Sequence, residues 1–211
     1  MKNKIRLTYI DEELSWQSQV YEALNSDFDL NIPETLPRDV KDLWPLLIDY
    51  NPQAILIDYR LNDSGKVSYT GDDVIKEFHK HNKHLPMFII TSFEDNALIE
   101  CREAQIIRGK ELITEVNQII KLKNIIIANV NNYEARKRAA ENIIQSLQEK
   151  IMKGEELTSI EETEKFNAEL YLSELDLDSN IQNDLITNRC NRSIEKLLEK
   201  ADQLINKFQG V

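Results

Sequence analysis

The sequence predicts an open, parallel, doubly wound α/β sheet of five strands, followed by an all-α module. Three observations carry this expectation. Short unbroken apolar runs such as Ala54–Ile57 and Leu85–Ile90 have the length and composition of strands buried on both faces. Segments with helical spacing alternate with these runs, the order expected of a parallel sheet. From Glu111 onward the apolar residues keep to helical spacing.

Taken in order, Ile5–Ile10 reads as the first strand and ends in Asp11-Glu12-Glu13. Leu14 to Leu24 carries Trp16, Val20, Ala23 and Leu24 at helical spacing, and Asn25-Ser26-Asp27 stops it. Phe28 to Ile32 alternates as an outer strand, and Pro33 and Pro37 bracket a loop. Asp39 caps a helix reaching Tyr50, with Val40, Leu43, Leu46 and Leu47 on one face and Pro45 as a shortening or kinking residue. Asn51-Pro52 is a turn signal, and the next strand, Ala54–Ile57, runs into Asp58. Residues 62–73 form a long loop with a small hairpin expected around Ser64-Gly65. Asp73 to Lys80 is a helix with Val74, Ile75 and Phe78 inward. His79, His81 and His84 fall on the following turn. No acid or cysteine completes a metal set with them, so a solvated turn is expected. Leu85–Ile90 ends in Thr91-Ser92, Glu94 to Arg102 reads as a short helix, and Gln105–Ile107 runs into Arg108-Gly109-Lys110.

In a parallel sheet the ends of these strands open on one edge, the ligand-binding edge of open α/β folds. Acids, a hydroxyl and a cation then converge, a set able to hold a hard divalent cation and a phosphoryl group. Tyr9-Ile-Asp-Glu-Glu13, Leu56-Ile-Asp-Tyr-Arg-Leu61 and Leu85-Pro-Met-Phe-Ile-Ile-Thr91, in this order and with these gaps, resemble the receiver domain of bacterial two-component response regulators. The resemblance covers roughly residues 4–125. It implies a flavodoxin-like fold, with Asp58 as phosphoacceptor and one Mg²⁺ held by Asp11, Glu12, Asp58 and the backbone carbonyl of Arg60. It also implies that Thr91 and Lys110 contact the phosphoryl group, with Arg108 as the alternative cation. Arg60 and Phe93 stand where receivers tune dephosphorylation, and their bulk implies slow self-dephosphorylation. The phosphoryl donor would be a histidine kinase or phosphotransfer protein.

The chain departs from the pattern in several places. The loop between Asp58 and the glycine matching Gly71 is longer than usual and reads as an ordinary surface loop, or alternatively as a lid or partner contact beside the site. The gap from Thr91 to Lys110 is shorter, Gln105 or Ile106 stands where an aromatic switch residue is usual, and Glu111 replaces the usual proline.

The expected domains are a receiver over 1–125 and an α-helical output or dimerisation module over 126–211. In the second, Thr158-Ser-Ile-Glu161 is a capping box. Asn129, Asn131 and Asn132 are expected to break or bend the preceding helix, and Lys153-Gly154 to end it. Ile160, Phe166, Leu170 and Leu175 lie along the next helix, Asp176 to Asn180 form a turn, and Ile181 to Phe208 a last helix. A small three-helix unit suggests a coiled coil, a homodimer or a protein partner. It has no histidine for phosphotransfer and no basic recognition helix.

A net charge of −11 argues against DNA or RNA as partner. Cys101 and Cys190, far apart, suggest no disulfide framework. The absence of a signal-peptide pattern and of a membrane-length apolar stretch points to a cytoplasmic protein off the membrane. No enzyme motif is present. A haloacid-dehalogenase-type phosphohydrolase needs a second aspartate two residues after the first, where Arg60 stands. The competing reading is a pseudo-receiver scaffold that does not depend on phosphate.

Overall fold

The computed structural model describes residues 4–92 and 106–175. The expected helix over 94–102, Phe93, both cysteines, and the turn and helix after Leu175 lie outside the described residues. A sheet of strands β1 (Ile5–Ile10), β2 (Phe28–Asn31), β3 (Ala54–Asp58), β4 (Met87–Thr91) and β5 (Ile106–Gly109) is ordered β2-β1-β3-β4-β5. Every neighbouring pair is parallel.

Burial explains the central strands. All five residues of β3 and all five of β4 are buried, so unbroken apolar runs are what the two covered faces require. Along β3 the side chains divide between two cores. Ile55 and Ile57 join Phe78, Val74 and Leu47 on one face; Ala54 and Leu56 join Val20, Leu24 and Ile126 on the other. Each fully buried Leu or Ile contributes about 1.5–3 kcal/mol.

The helices follow in order as α1 (Leu14–Leu24), α2 (Leu43–Ile48), α3 (Gly71–Phe78), α4 (Glu111–Thr114), α5 (Val116–Met152) and α6 (Ser159–Ser173). The helix expected from Asp39 to Tyr50 is instead a 3-10 turn, Val40–Asp42, leading into the short α2. Pro45 sits in the first turn of α2, where its missing N–H leaves no hydrogen bond broken. With this shift Leu46 is 52% exposed rather than inward, and Trp44 packs against the core. Helix α3 starts two residues earlier than Asp73, at Gly71. Thr70 caps it, in a reciprocal bond with Asp73.

The His79–His84 turn is not simply solvated. His81 stacks on Trp44, ring centroids 5.0 Å apart, with its side chain 19% exposed. Among the described residues no His, Cys, Asp and Glu group of three could hold a metal ion.

Helix α5 runs unbroken for 37 residues through Asn129, Asn131 and Asn132. Asn129 turns its amide back onto the Ile125 carbonyl, 2.9 Å, and so spares the helix the competition that asparagine usually offers. The expected boundary at residue 125 falls within this helix. The first compact unit extends to Arg136, because Ile126 and Val130 are buried in the same core as Leu7 and Phe88.

In the second unit, Lys137–Val211, α5 ends at Met152 with Gly154 at positive φ, and the Thr158–Glu161 capping box forms as read. Lys150 binds Glu161 at 2.8 Å; that bond first, then the Thr158 backbone, lowers the Glu161 pKa to about 2. Along α6, Ile160 is 73% exposed and Ala168 is buried.

Candidate functional site

Asp11 follows β1 and Asp58 ends β3, two adjacent strands whose outward connections run to opposite sides of the sheet. That is the point of an open α/β sheet where the loops diverge and leave a cleft. A cleft of about 90 Å³ opens there, lined by Asp11, Glu12, Trp16, Asp58, Thr91 and Lys110 among others. A larger hollow, about 430 Å³, lies beside Lys4, Arg6 and Phe28, away from the converging acids.

Lys110 is the centre of the cleft. It is 5% exposed, and its Nζ lies 2.9 Å from Asp11 Oδ2 and 2.9 Å from Asp58 Oδ1. The Trp16 ring covers it, 5.0 Å from Nζ to the centroid. Its backbone N–H donates to the Thr91 carbonyl at 3.0 Å, so the ends of β4 and β5 hold it in register. The alternative cation, Arg108, lies within β5 opposite Ile90. The structure brings Lys110 to the carboxylates.

Asp11 accepts from two donors besides Lys110. Its Oδ2 also accepts the Tyr9 hydroxyl, and its Oδ1 accepts the Glu13 N–H at 2.8 Å. Asp58 Oδ2 accepts the Arg60 N–H at 3.1 Å. Burial first, and then the neighbouring Asp11 carboxylate, pushes the Asp58 pKa up to about 6 against the pull of Lys110. Lys110 responds in the opposite sense. Burial opposes its charge, but Asp58 and Asp11 outweigh burial and raise its pKa. The ammonium therefore stays charged, and the surplus negative charge of two carboxylates against one cation falls on Asp58. Burial, then Asp11, holds the Tyr9 phenol well above its ordinary range, so it remains a donor.

Thr91 is 1% exposed at the end of β4 and lines the cleft. Arg60 stays at the rim, half-buried, 3.8 Å from Asp63. Its carbonyl accepts a long bond from the Asp63 N–H, 3.5 Å. Glu12 lines the cleft but is not gathered with Asp11 and Asp58. Its carboxylate accepts the Ser64 N–H at 2.7 Å and the Ser64 hydroxyl.

The loop after Asp58 is not merely a surface loop. Leu61, Val67 and Tyr69 are buried in the core, and the Tyr69 hydroxyl donates to the Pro37 carbonyl at 2.9 Å. Gly71 closes it. A Cβ there would lie 2.5 Å from the Asp58 carbonyl oxygen, so only glycine lets α3 start this close to the site.

The residues sequence reasoning missed are Tyr9, Trp16 and Ser64. Tyr9 is two residues from Asp11 and so shares its side of the strand end, a signal the spacing offered. The reach of Ser64 across to Glu12 had no local signal.

No family model matches the sequence, and no curated protein matches it. Solved structures do. The signal receiver domain of an HD domain-containing protein from Pseudomonas fluorescens Pf-5 superposes with a TM-score of 0.51 at 12% identity, over 65% of this chain and 95% of that one. The N-terminal unit has the receiver-domain fold. The non-phosphorylated HemR receiver domain from Leptospira biflexa matches with a TM-score of 0.45 at 18% identity, over 58% and 94% of the two chains. A response regulator receiver modulated diguanylate cyclase from Pelobacter carbinolicus matches at 0.45 and 14%, over 62% and 98%. No helix of the described residues is long and apolar enough to cross a membrane.

Proposed function

We propose that this chain is a response regulator whose receiver unit accepts a phosphoryl group on Asp58 and whose helical extension carries the response to a protein partner. The observation that supports it most is the buried Asp11–Lys110–Asp58 cluster, in a cleft at the divergence point of a receiver fold, with Thr91 beside it. An Asp58 carboxylate oxygen forms a bond to phosphorus, while the bond from phosphorus to the donor breaks and its electron pair leaves with the donor. A histidine kinase or phosphotransfer protein is the donor that fits. Lys110, already 2.9 Å from Asp58, pairs with the negative charge of the transferred group. Thr91 then donates its hydroxyl to the phosphoryl oxygen, and the change in its position biases the surface toward one of two states.

The cleft suits a hard cation. Its donors are oxygens, and two buried carboxylates there share the single cation Lys110. Asp11, Asp58 and the Arg60 carbonyl, with Glu12, would hold Mg²⁺, which when bound neutralises charge on the phosphoryl group. The output is contact with another protein or a second copy of this chain, rather than catalysis.

The test is intact-mass spectrometry after incubation with acetyl phosphate and Mg²⁺. The expected result is one phosphoryl adduct on the wild type and none on Asp58→Asn. A second reading, a scaffold independent of phosphate, draws on the engagement of Glu12 by Ser64 away from the other acids. A folded wild type with no adduct from acetyl phosphate or from a histidine kinase, and with partner binding unchanged in Asp58→Asn, would favour it.

A further inference from the structure

The loop that lengthens the connection after Asp58 has a consequence for the cation. We infer that Ser64 sets the affinity of the acid cleft for a divalent cation by clasping Glu12 outside the ligand set. This rests on the receiver reading of the cleft and adds a residue to it.

Three observations carry the clasp. Glu12 lines the same cleft as Asp11 and Asp58, yet its Oε1 accepts the Ser64 N–H at 2.7 Å and its Oε2 accepts the Ser64 hydroxyl. Both carboxylate oxygens are thus engaged by one residue, and turning Glu12 toward the other acids would cost these bonds. Next, Ser64 is fixed. Gly65, at φ +72°, donates its N–H to the Asn62 carbonyl at 3.1 Å, and the Lys66 N–H reaches the Ser64 hydroxyl oxygen at 3.4 Å. On either side of this turn Leu61 and Val67 are buried in the core. Lastly, among the described residues no group of three acids is close enough to hold a metal ion, although Asp11, Glu12 and Asp58 all line the cleft. The missing member is Glu12. A cation entering the cleft must draw Glu12 from Ser64 or bind without it. Either way the clasp weakens binding.

Titration calorimetry with MgCl₂ on the full chain tests this. Ser64 is exposed, so Ser64→Ala leaves the core intact, which far-UV circular dichroism checks. Ser64→Ala is expected to bind Mg²⁺ about fivefold more tightly than wild type, the scale of one charged hydrogen bond near the surface. Glu12→Ala weakens binding, and adding Ser64→Ala to it changes nothing further. A Ser64→Ala that binds as wild type does, or more weakly, overturns the clasp and leaves the cation site standing. Neither protein binding Mg²⁺ overturns the clasp and the cation site together. A gain that persists in the Glu12→Ala background also overturns the clasp, because it then acts through another group.

Discussion

The two edges of one sheet handle polar burial in opposite ways. At the carboxyl edge, Asp11, Asp58 and Lys110 are each no more than 5% exposed, and their charges do not balance. At the amino edge, polar side chains meet the long helix in hydrogen-bonded pairs. Asn82 donates to the Tyr133 hydroxyl oxygen at 3.1 Å and accepts the His84 N–H at 3.0 Å. Gln53 donates to Glu134 at 2.9 Å and accepts the Arg6 N–H at 3.2 Å. The amino edge fixes where the long helix crosses the sheet, since Tyr133 and Glu134 both belong to α5. The carboxyl edge stores an electrostatic cost that a bound group can relieve. The difference separates a site from a joint. Both are hydrogen-bonded, but only at the site do two buried carboxylates share one buried cation.

The strongest way to break this contrast is to remove the shared cation. Lys110→Met leaves two buried carboxylates facing each other, and is expected to lower stability by about 3 kcal/mol in chemical denaturation at pH 7.5. A loss below about 1 kcal/mol would mean the cleft is wetter than the contrast requires.

A smaller effect of opposite sign sharpens it. The Asp58 pKa is raised from 3.8 to about 6, so the folded state holds its proton where the unfolded chain has released it. The stability linked to this group is present in full below the free-carboxylate value and is lost as pH rises through about 6. Asp58→Asn, which carries no such cost, is therefore expected to be more stable than wild type by about 2 kcal/mol at pH 7.5 in Mg²⁺-free buffer. The gain should shrink as pH falls from 6 toward 4. A gain that is flat with pH would assign it to something other than ionisation.

The smallest effect belongs to the joint. Tyr133→Phe removes the hydroxyl that Asn82 donates to, and is expected to cost about 1 kcal/mol. Because the bond is between neutral groups, the loss should be the same at pH 5.5 and pH 7.5.

Much of this was legible along the chain. The apolar runs of β3 and β4 could only be covered strands, and acids or a hydroxyl at their ends could only face the carboxyl edge. Legibility failed where spacing alone does not decide between local geometries, or where a residue's partner is distant in sequence. Leu46 looked inward by spacing, but the 3-10 turn before α2 rotates it to solvent. The asparagines of α5 looked like breakers, but Asn129 bonds within the helix. The lengthened loop looked like a surface loop, but its Val67 and Tyr69 are core residues.

The sequence by itself determined the order of the elements and the chemistry brought to one edge, because strand burial and side-chain alternation are local properties. The approach of Lys110 to Asp11 and Asp58 was the tertiary structure's. It follows from where β5 ends against β4. So were the surplus charge on Asp58, the Tyr9 bond to Asp11 and the hold of Ser64 on Glu12. Each is a distance between residues that only packing brings together, and electrostatic and hydrogen-bond energies follow distance and burial rather than sequence spacing.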